Sequence, residues 1–236
     1  MPPTPSQFAP IFQSLQGGLV VSCQAPSDSP LYHPDMIAAI AQASVQRGAV
    51  GVRIDTPAHV KAVRSQVNVP IIGLWKQQIP DYDVYITPQF HHAQAIAAAG
   101  ADIVAIDATT RDRPERETVP QLIERIHREL QKPVMADVDT LATAKTAAAA
   151  GADCIGTTLY GYTAITQTEK PPGFDLLKQM RSQLSVPLVC EGGIASPQMA
   201  RQALDLGADM VVVGTAITGI DLQVMAYCQA LDSHPR

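Results

Sequence analysis

Four stretches open on Gly-Ala and run into apolar residues: GAVGVRI (Gly48–Ile54), GADIVAI (Gly100–Ile106), GADCIGT (Gly151–Thr157) and GADMVVV (Gly207–Val213). Each has the length of a strand buried on both faces. They recur at intervals of 52, 51 and 56 residues, which leaves room in each interval for another strand and two helices. Pro-led runs fill three of the remaining places: VPIIGLW (Val69–Trp75), KPVMADV (Lys132–Val138) and VPLVCEG (Val186–Gly192). GGLVVSC (Gly17–Cys23) opens the series, so the chain carries eight candidate strands.

Segments with apolar residues at helical spacing separate these runs: His33–Gly48, Thr56–Gln66, Gln89–Gly100, Thr118–Leu130, Thr140–Gly151, Phe174–Leu184 and Ser196–Gly207. Several begin at Thr or Ser beside Pro and several end at Gly, as helix boundaries prefer. Strand–helix alternation of this length predicts a parallel sheet closed by right-handed crossovers, a (β/α)₈ TIM barrel filling residues 1–236 as a single domain. Residues 1–14 are expected to be an N-terminal extension or capping segment, and DVYITP (Asp83–Pro88) a short extra strand on the third loop. The open doubly wound alternative lacks its phosphate turn: QAPSDSP follows LVVSC where GxGxxG would stand.

Hydrophobic residues at 46% and charged residues at 17% are a globular composition. A net charge of −5 with no basic stripe argues against a nucleic-acid partner. The densest charge cluster, RDRPERE (Arg111–Glu117), is mixed in sign and reads as a solvated loop and helix start. Cys23, Cys154, Cys190 and Cys228 form no CxxC pair, so reduced thiols, no metal centre and a cytoplasmic location are expected. MPPTPSQFAP has no signal-peptide features, and no apolar run approaches the ~18 residues a membrane span needs.

In such a barrel the chemistry sits at the C-terminal ends of the strands. Those ends read Gln24, Arg53, Lys76, Asp107, Asp137, Thr157, Glu191 and Gly214, polar or charged at seven tips after apolar runs. Buried charges are costly unless paired, so a core-only reading of this pattern is weak. Arg53 and Glu191 also read as an ion pair across the barrel top. Asp139, beside Thr140, reads as a helix cap, which leaves Asp137 for the site; Asp107 reads equally well as a cap for the turn after it. His91 and His92 are expected on an exposed helix start, and Cys190 on the face opposite Glu191. GGIASP (Gly192–Pro197) after strand 7 and GTAITG (Gly214–Gly219) after strand 8 occupy the two loops that hold a phosphate in many barrels of the ribulose-phosphate-binding kind.

With LVVSCQA, GVRI, PIIGLWK, YITP, IVAIDAT, MADVDT, GTTLYGYT and CEGGI in order between Leu15 and Gly219, the chain resembles N-acetylmannosamine-6-phosphate 2-epimerases. The resemblance implies interconversion of N-acetylmannosamine 6-phosphate and N-acetylglucosamine 6-phosphate in amino-sugar and sialic acid breakdown, without metal or organic cofactor. It implies Lys76 as the catalytic lysine, Glu191 as its carboxylate, and Gln24, Arg53 and Asp137 as substrate contacts, to which the sixth strand tip adds Thr157. Gly192, Gly193, Gly214 and Thr215 fall at the phosphate loops, and a homodimer is what the family suggests. Many relatives carry Arg directly after the final AIT, where this chain has Gly219. A Schiff-base aldolase, another phosphate-binding barrel enzyme and a non-catalytic sugar-phosphate sensor are the rival readings.

Overall fold

The computed structural model describes residues 7–232. Its strands are β1 (Leu19–Cys23), β2 (Gly51–Asp55), β3 (Ile71–Leu74), β4 (Ile103–Asp107), β5 (Val134–Asp137), β6 (Cys154–Gly156), β7 (Leu188–Glu191) and β8 (Met210–Val213). All pair in parallel and in chain order, and β8 pairs with β1 to close a TIM barrel. The helices are α1 (Ala9–Leu15), α2 (Pro34–Gln46), α3 (Pro57–Arg64), α4 (Phe90–Ala98), α5 (Val119–Arg125, continued by a wider turn to Leu130), α6 (Leu141–Ala149), α7 (Phe174–Gln183), α8 (Pro197–Asp205), α9 (Thr215–Thr218) and α10 (Ile220–Asp232). Residues 1–6 of the expected N-terminal segment lie outside the described residues. The rest of that segment forms α1, whose Phe12 and Leu15 are buried in the apolar cluster inside the barrel.

The Gly-Ala-Asp repeat has a mechanical explanation. Gly48, Gly100, Gly151 and Gly207 have φ between +93° and +107°, the left-handed conformation that ends the preceding helix. The Asp that comes next in three repeats then ties the turn to the neighbouring strand. Asp102, Asp153 and Asp209 accept the first N–H of β3, β5 and β7, from Ile71, Val134 and Leu188, at 2.7–2.9 Å. Each also meets a basic side chain from the helix that precedes that neighbouring strand: Arg64 at 2.9 Å, His127 at 2.7 Å and Arg181 at 3.1 Å. The Pro-led strands and the Gly-Ala-Asp strands are therefore two halves of one joint. At the other ends of the crossovers, Thr56, Thr118, Thr140 and Ser196 cap α3, α5, α6 and α8 by accepting the N–H three residues on.

Alternation along each strand separates two apolar layers. Val20, Ile72, Ile103, Met135, Cys154, Val189 and Met210 point into the barrel. Val21, Val52, Ile71, Val104, Val134, Ile155 and Leu188 point out towards the helices. The parity puts Arg53 inside, because its neighbours Val52 and Ile54 both lie in the outer layer. Cys190 lies in the outer layer beneath the helices, as expected.

Two local expectations change. Asp83–Pro88 is not a strand; it makes one isolated antiparallel bridge, Lys76 to Ile86. β3 and β4 share only two register pairs, so beyond them the segment wedges in: Gln77 N–H donates to Tyr85 O, Thr87 N–H to Trp75 O and Asp107 N–H to Ile86 O, each at 2.9 Å. Asp139 is not the cap of α6, since Thr140 takes that place; Asp139 is buried and accepts hydroxyl hydrogen bonds from Thr143 at 3.0 Å and Thr163 at 2.8 Å.

Candidate active site

A cavity of about 960 Å³ opens at the C-terminal end of the barrel, lined on one wall by Gln24, Arg53, Lys76 and Glu191 and on the other by the loops after β7 and β8. Arg53 is its anchor. β2 runs on to Asp55, so Arg53 lies one inward position below the strand tip, 1% exposed. Its Nη2 donates to Asp137 Oδ2 at 2.6 Å, and its Nη1 donates to Glu191 Oε2 at 2.6 Å and to Asp137 Oδ1 at 3.1 Å. Such a triad survives burial only because the charges face one another directly. Asp137 is fully buried, with its oxygens taken by Arg53 and by the Thr158 hydroxyl at 2.6 Å. It therefore positions Arg53 instead of facing the cavity. Burial raises the pKa of Glu191 to about 7, Asp137 pushing the same way and Arg53 against it.

Lys76 crosses the mouth of the cavity. Its Nζ donates to Gln24 Oε1 at 2.5 Å, and Gln24 Nε2 in turn donates to Ser22 Oγ at 2.9 Å. Although the Lys76 side chain is exposed at the mouth, the protein atoms around its ammonium depress its pKa below the usual lysine range; Asp55 and Glu191 oppose this, while Arg53 adds to it. Asp55 also holds the backbone, accepting the Lys76 N–H at 2.9 Å. Tyr85 lines the same cavity, its phenol pushed up to about 12 by burial and by Asp137, so it stays a hydrogen-bond donor near neutral pH.

The opposite wall is built from glycine. Gly192 (φ +95°) and Gly193 (φ +71°) are successive left-handed residues after β7. A Cβ on Gly193 would sit 2.5 Å from Pro171 Cβ, so the chain passes there only as glycine. Gly214 precedes α9, and with Thr215 and Ala216 it lines the same wall. Backbone N–H groups on both loops suit an oxyanion. The Gly219 position leaves no room for Arg on this backbone: a Cβ there would lie 2.8 Å from Thr215 Cα.

The structure thus brings Gln24, Arg53, Lys76, Glu191, Gly192, Gly193, Gly214 and Thr215 around one cavity. Thr157 is outside that group. Its hydroxyl donates to Glu191 O at 2.9 Å and accepts Glu191 N–H at 3.1 Å, while Thr158 faces the cavity. Parity explains the exchange: Ile155 points outward and Gly156 inward, so the next inward position is Thr158. The same count from Arg53 reaches Asp55, which reading strand tips alone passed over. Asp107 takes the turn role, accepting from Thr109 N–H at 3.1 Å and from the Thr109 hydroxyl at 2.7 Å. His92, expected on an exposed helix start, is 6% exposed and packs edge-on against Trp75 at 5.2 Å, because the first turn of α4 faces the strand layer; His91 is exposed. Among the described residues no cluster of His, Cys, Asp and Glu is placed to hold a metal ion.

Residues 37–233 match a family model described as "Putative N-acetylmannosamine-6-phosphate epimerase". The chain belongs to this N-acetylmannosamine-6-phosphate epimerase family. A relative from Synechococcus elongatus bearing the corresponding 2-epimerase name is 64% identical over 223 residues, covering 94% of this chain and 96% of its own. One from Cutibacterium acnes is 45% identical over 210 residues, covering 88% and 91%. A solved N-acetylmannosamine-6-phosphate 2-epimerase from Clostridium perfringens superposes with a TM-score of 0.89 at 34% identity, covering 94% of this chain and 96% of that one. Thiamine phosphate pyrophosphorylase from Pyrococcus furiosus shares the fold alone, with a TM-score of 0.59 at 17% identity and coverage of 89% and 90%.

Proposed function

We propose that this epimerase-family barrel interconverts N-acetylmannosamine 6-phosphate and N-acetylglucosamine 6-phosphate by moving the proton on carbon 2, within amino-sugar and sialic acid breakdown. One observation carries the reading: the Lys76 ammonium, the Arg53–Glu191 ion pair and a glycine-walled anion cradle share one cavity. In the open-chain sugar the carbon 1 aldehyde acidifies the neighbouring C–H. Neutral Lys76 takes that proton, the C–H pair moves into an enediolate, and Arg53 offsets the charge growing on the oxygen. Return of a proton to the other face restores the aldehyde and yields the epimer. Glu191, with a pKa near neutrality, is suited to pass a proton at the carbon 1 oxygen during ring opening. Gln24 holds Lys76 in place and is freed to meet the substrate, Asp137 locks Arg53, and Gly192, Gly193, Gly214 and Thr215 receive the phosphate. The reaction is written without metal or organic cofactor, because lysine and arginine cover both the proton and the charge.

Proton NMR with N-acetylmannosamine 6-phosphate in D₂O, with chelator present, tests this. Expected is N-acetylglucosamine 6-phosphate carrying deuterium at carbon 2. Unchanged substrate from folded protein overturns the reading, and a borohydride-trapped lysine adduct with a keto acid would favour an aldolase instead.

The same reading includes a homodimer and a cytoplasmic location. The 13-residue helix α10 buries none of its side chains, and Tyr227 and Leu231 are 73% and 75% exposed. Apolar surface of this kind marks an interface, and a second copy is its occupant. Tyr227→Asp with Leu231→Asp should convert a dimer to monomer in analytical ultracentrifugation; a monomeric parent protein would refute it. Cys23, Cys154, Cys190 and Cys228 are free thiols, which fits a reducing compartment. No helix among the described residues is long and apolar enough to cross a membrane.

A further inference from the structure

The Arg111–Glu117 loop between β4 and α5 is not simply solvated, and with its neighbours it fixes one more group in the catalytic cavity. Tyr85, in the segment wedged between β3 and β4, lines that cavity and packs against the apolar cluster inside the barrel. The wedge is fastened on both flanks. Towards β3, Tyr85 O accepts Gln77 N–H at 2.9 Å, and the Thr87 hydroxyl accepts Trp75 N–H at 3.1 Å. Towards β4, Ile86 O accepts Asp107 N–H at 2.9 Å, and Pro88 O accepts from the buried Arg113 at 3.2 Å. Thr87 is fully buried with φ at +46°, a left-handed conformation unfavourable for a β-branched residue. Such conformations persist only where the surroundings over-determine them, and they gather at ligand sites.

The side chain held in this way ends in an unspent donor. The Arg111 guanidinium lies 5.7 Å from the centre of the Tyr85 ring. The Tyr85 hydroxyl makes no hydrogen bond to the described residues and is not sealed by them, so it opens on the cavity. The charged groups beside it are already bonded, Lys76 to Gln24 and Arg53 to Glu191. We propose that Tyr85 is a specificity-determining residue whose hydroxyl donates to the acetamido carbonyl of the substrate. The inference rests on the epimerase reading given above. In the closed strand order β3 and β4 lie opposite β7 and β8. A sugar whose phosphate sits on the β7 and β8 loops therefore extends across the mouth towards Lys76, which acts at carbon 2. The acetamido group is the substituent of carbon 2, and Lys76 is bridged directly to Ile86, the residue after Tyr85. Arg53 and Glu191 already serve the carbon 1 oxygen, whereas an amide carbonyl is an uncharged acceptor that a neutral phenol suits.

The test is isothermal titration calorimetry of the full chain with N-acetylglucosamine 6-phosphate and with glucose 6-phosphate, which carries a hydroxyl in place of the acetamido group. Tyr85→Phe keeps the ring against the inner cluster and removes only the hydroxyl, so the variant is expected to fold with the parent's unfolding midpoint. It should weaken binding of N-acetylglucosamine 6-phosphate about three- to tenfold, the worth of one neutral hydrogen bond, and leave binding of glucose 6-phosphate unchanged. Equal losses with both sugars, or no loss with the acetamido sugar, would overturn the proposal. A fall in kcat with both affinities unchanged would also overturn it and move the hydroxyl to the carbon 1 oxygen. The epimerase reading fails separately: a parent protein that prefers the acetamido sugar yet exchanges no deuterium at carbon 2 refutes that reading and leaves this contact standing. A parent that binds the two sugars equally refutes the contact and leaves the epimerase reading standing.

Discussion

Arg53 and Arg113 are both buried arginines at the same end of the barrel, and they are treated in opposite ways. Arg53, 1% exposed, spends both terminal nitrogens on two carboxylates, and these hold its pKa above the usual arginine range. Arg113, 4% exposed, has one carbonyl and a distant share of a carboxylate already taken, and burial holds its pKa below that range. The Arg53 triad sits where a preorganised charge serves a reaction, whereas Arg113 is sealed inside the loop after β4 with Pro88 O as its hydrogen-bond acceptor.

The largest effect expected concerns the chemistry that the Arg53 triad supports. Lys76→Ala should lower kcat by about 10³- to 10⁴-fold without changing the unfolding midpoint; appreciable residual deuterium exchange at carbon 2 would show that the triad serves another base. The two arginines can be compared directly by truncation. Arg53→Met strands Asp137 and Glu191 and should cost about 3–5 kcal/mol in urea unfolding, whereas Arg113→Met should change stability by about 1 kcal/mol or less. Equal costs would erase the distinction.

His92 shows the same physics with a neutral group. Burial lowers its pKa to about 4 from 6.5, and its Nδ1 has no partner. The folded form binds its proton more weakly than the unfolded one, so stability is full above pH 6.5 and is lost as pH falls towards 4. His92→Phe should flatten that acid limb by up to about 3 kcal/mol in pH-dependent unfolding. The smallest change expected is at Asp55, which raises the pKa of Lys76 against burial. With Asp55→Asn the lysine loses its proton more readily, so the rising limb of kcat/KM should move to lower pH. A shift upward would remove Lys76 as the base.

Much of the catalytic wall is legible along the chain. The eight apolar runs and their alternation place Arg53, Lys76, Asp137 and Glu191 on the inner face, because parity within a strand is local and holds wherever the strand ends. Counting parity instead of strand tips also recovers Asp55 and Thr158 and moves Thr157 outward. The wedge at Tyr85–Thr87 resists such reading, since it follows from how few residues β3 and β4 share, which is a property of barrel closure.

What the sequence by itself determines here is periodic: strand and helix order, the glycine turns, the facing of each side chain and the two loops that suit a phosphate. What only the tertiary structure decides is pairing. Arg53 meets carboxylates 84 and 138 positions away. Arg113, in a segment whose mixed charge reads as solvated, is buried and donates to Pro88 O, 25 positions away. Whether a buried charge is satisfied depends on groups distant in the chain, and the local pattern that sets the strands carries no record of them.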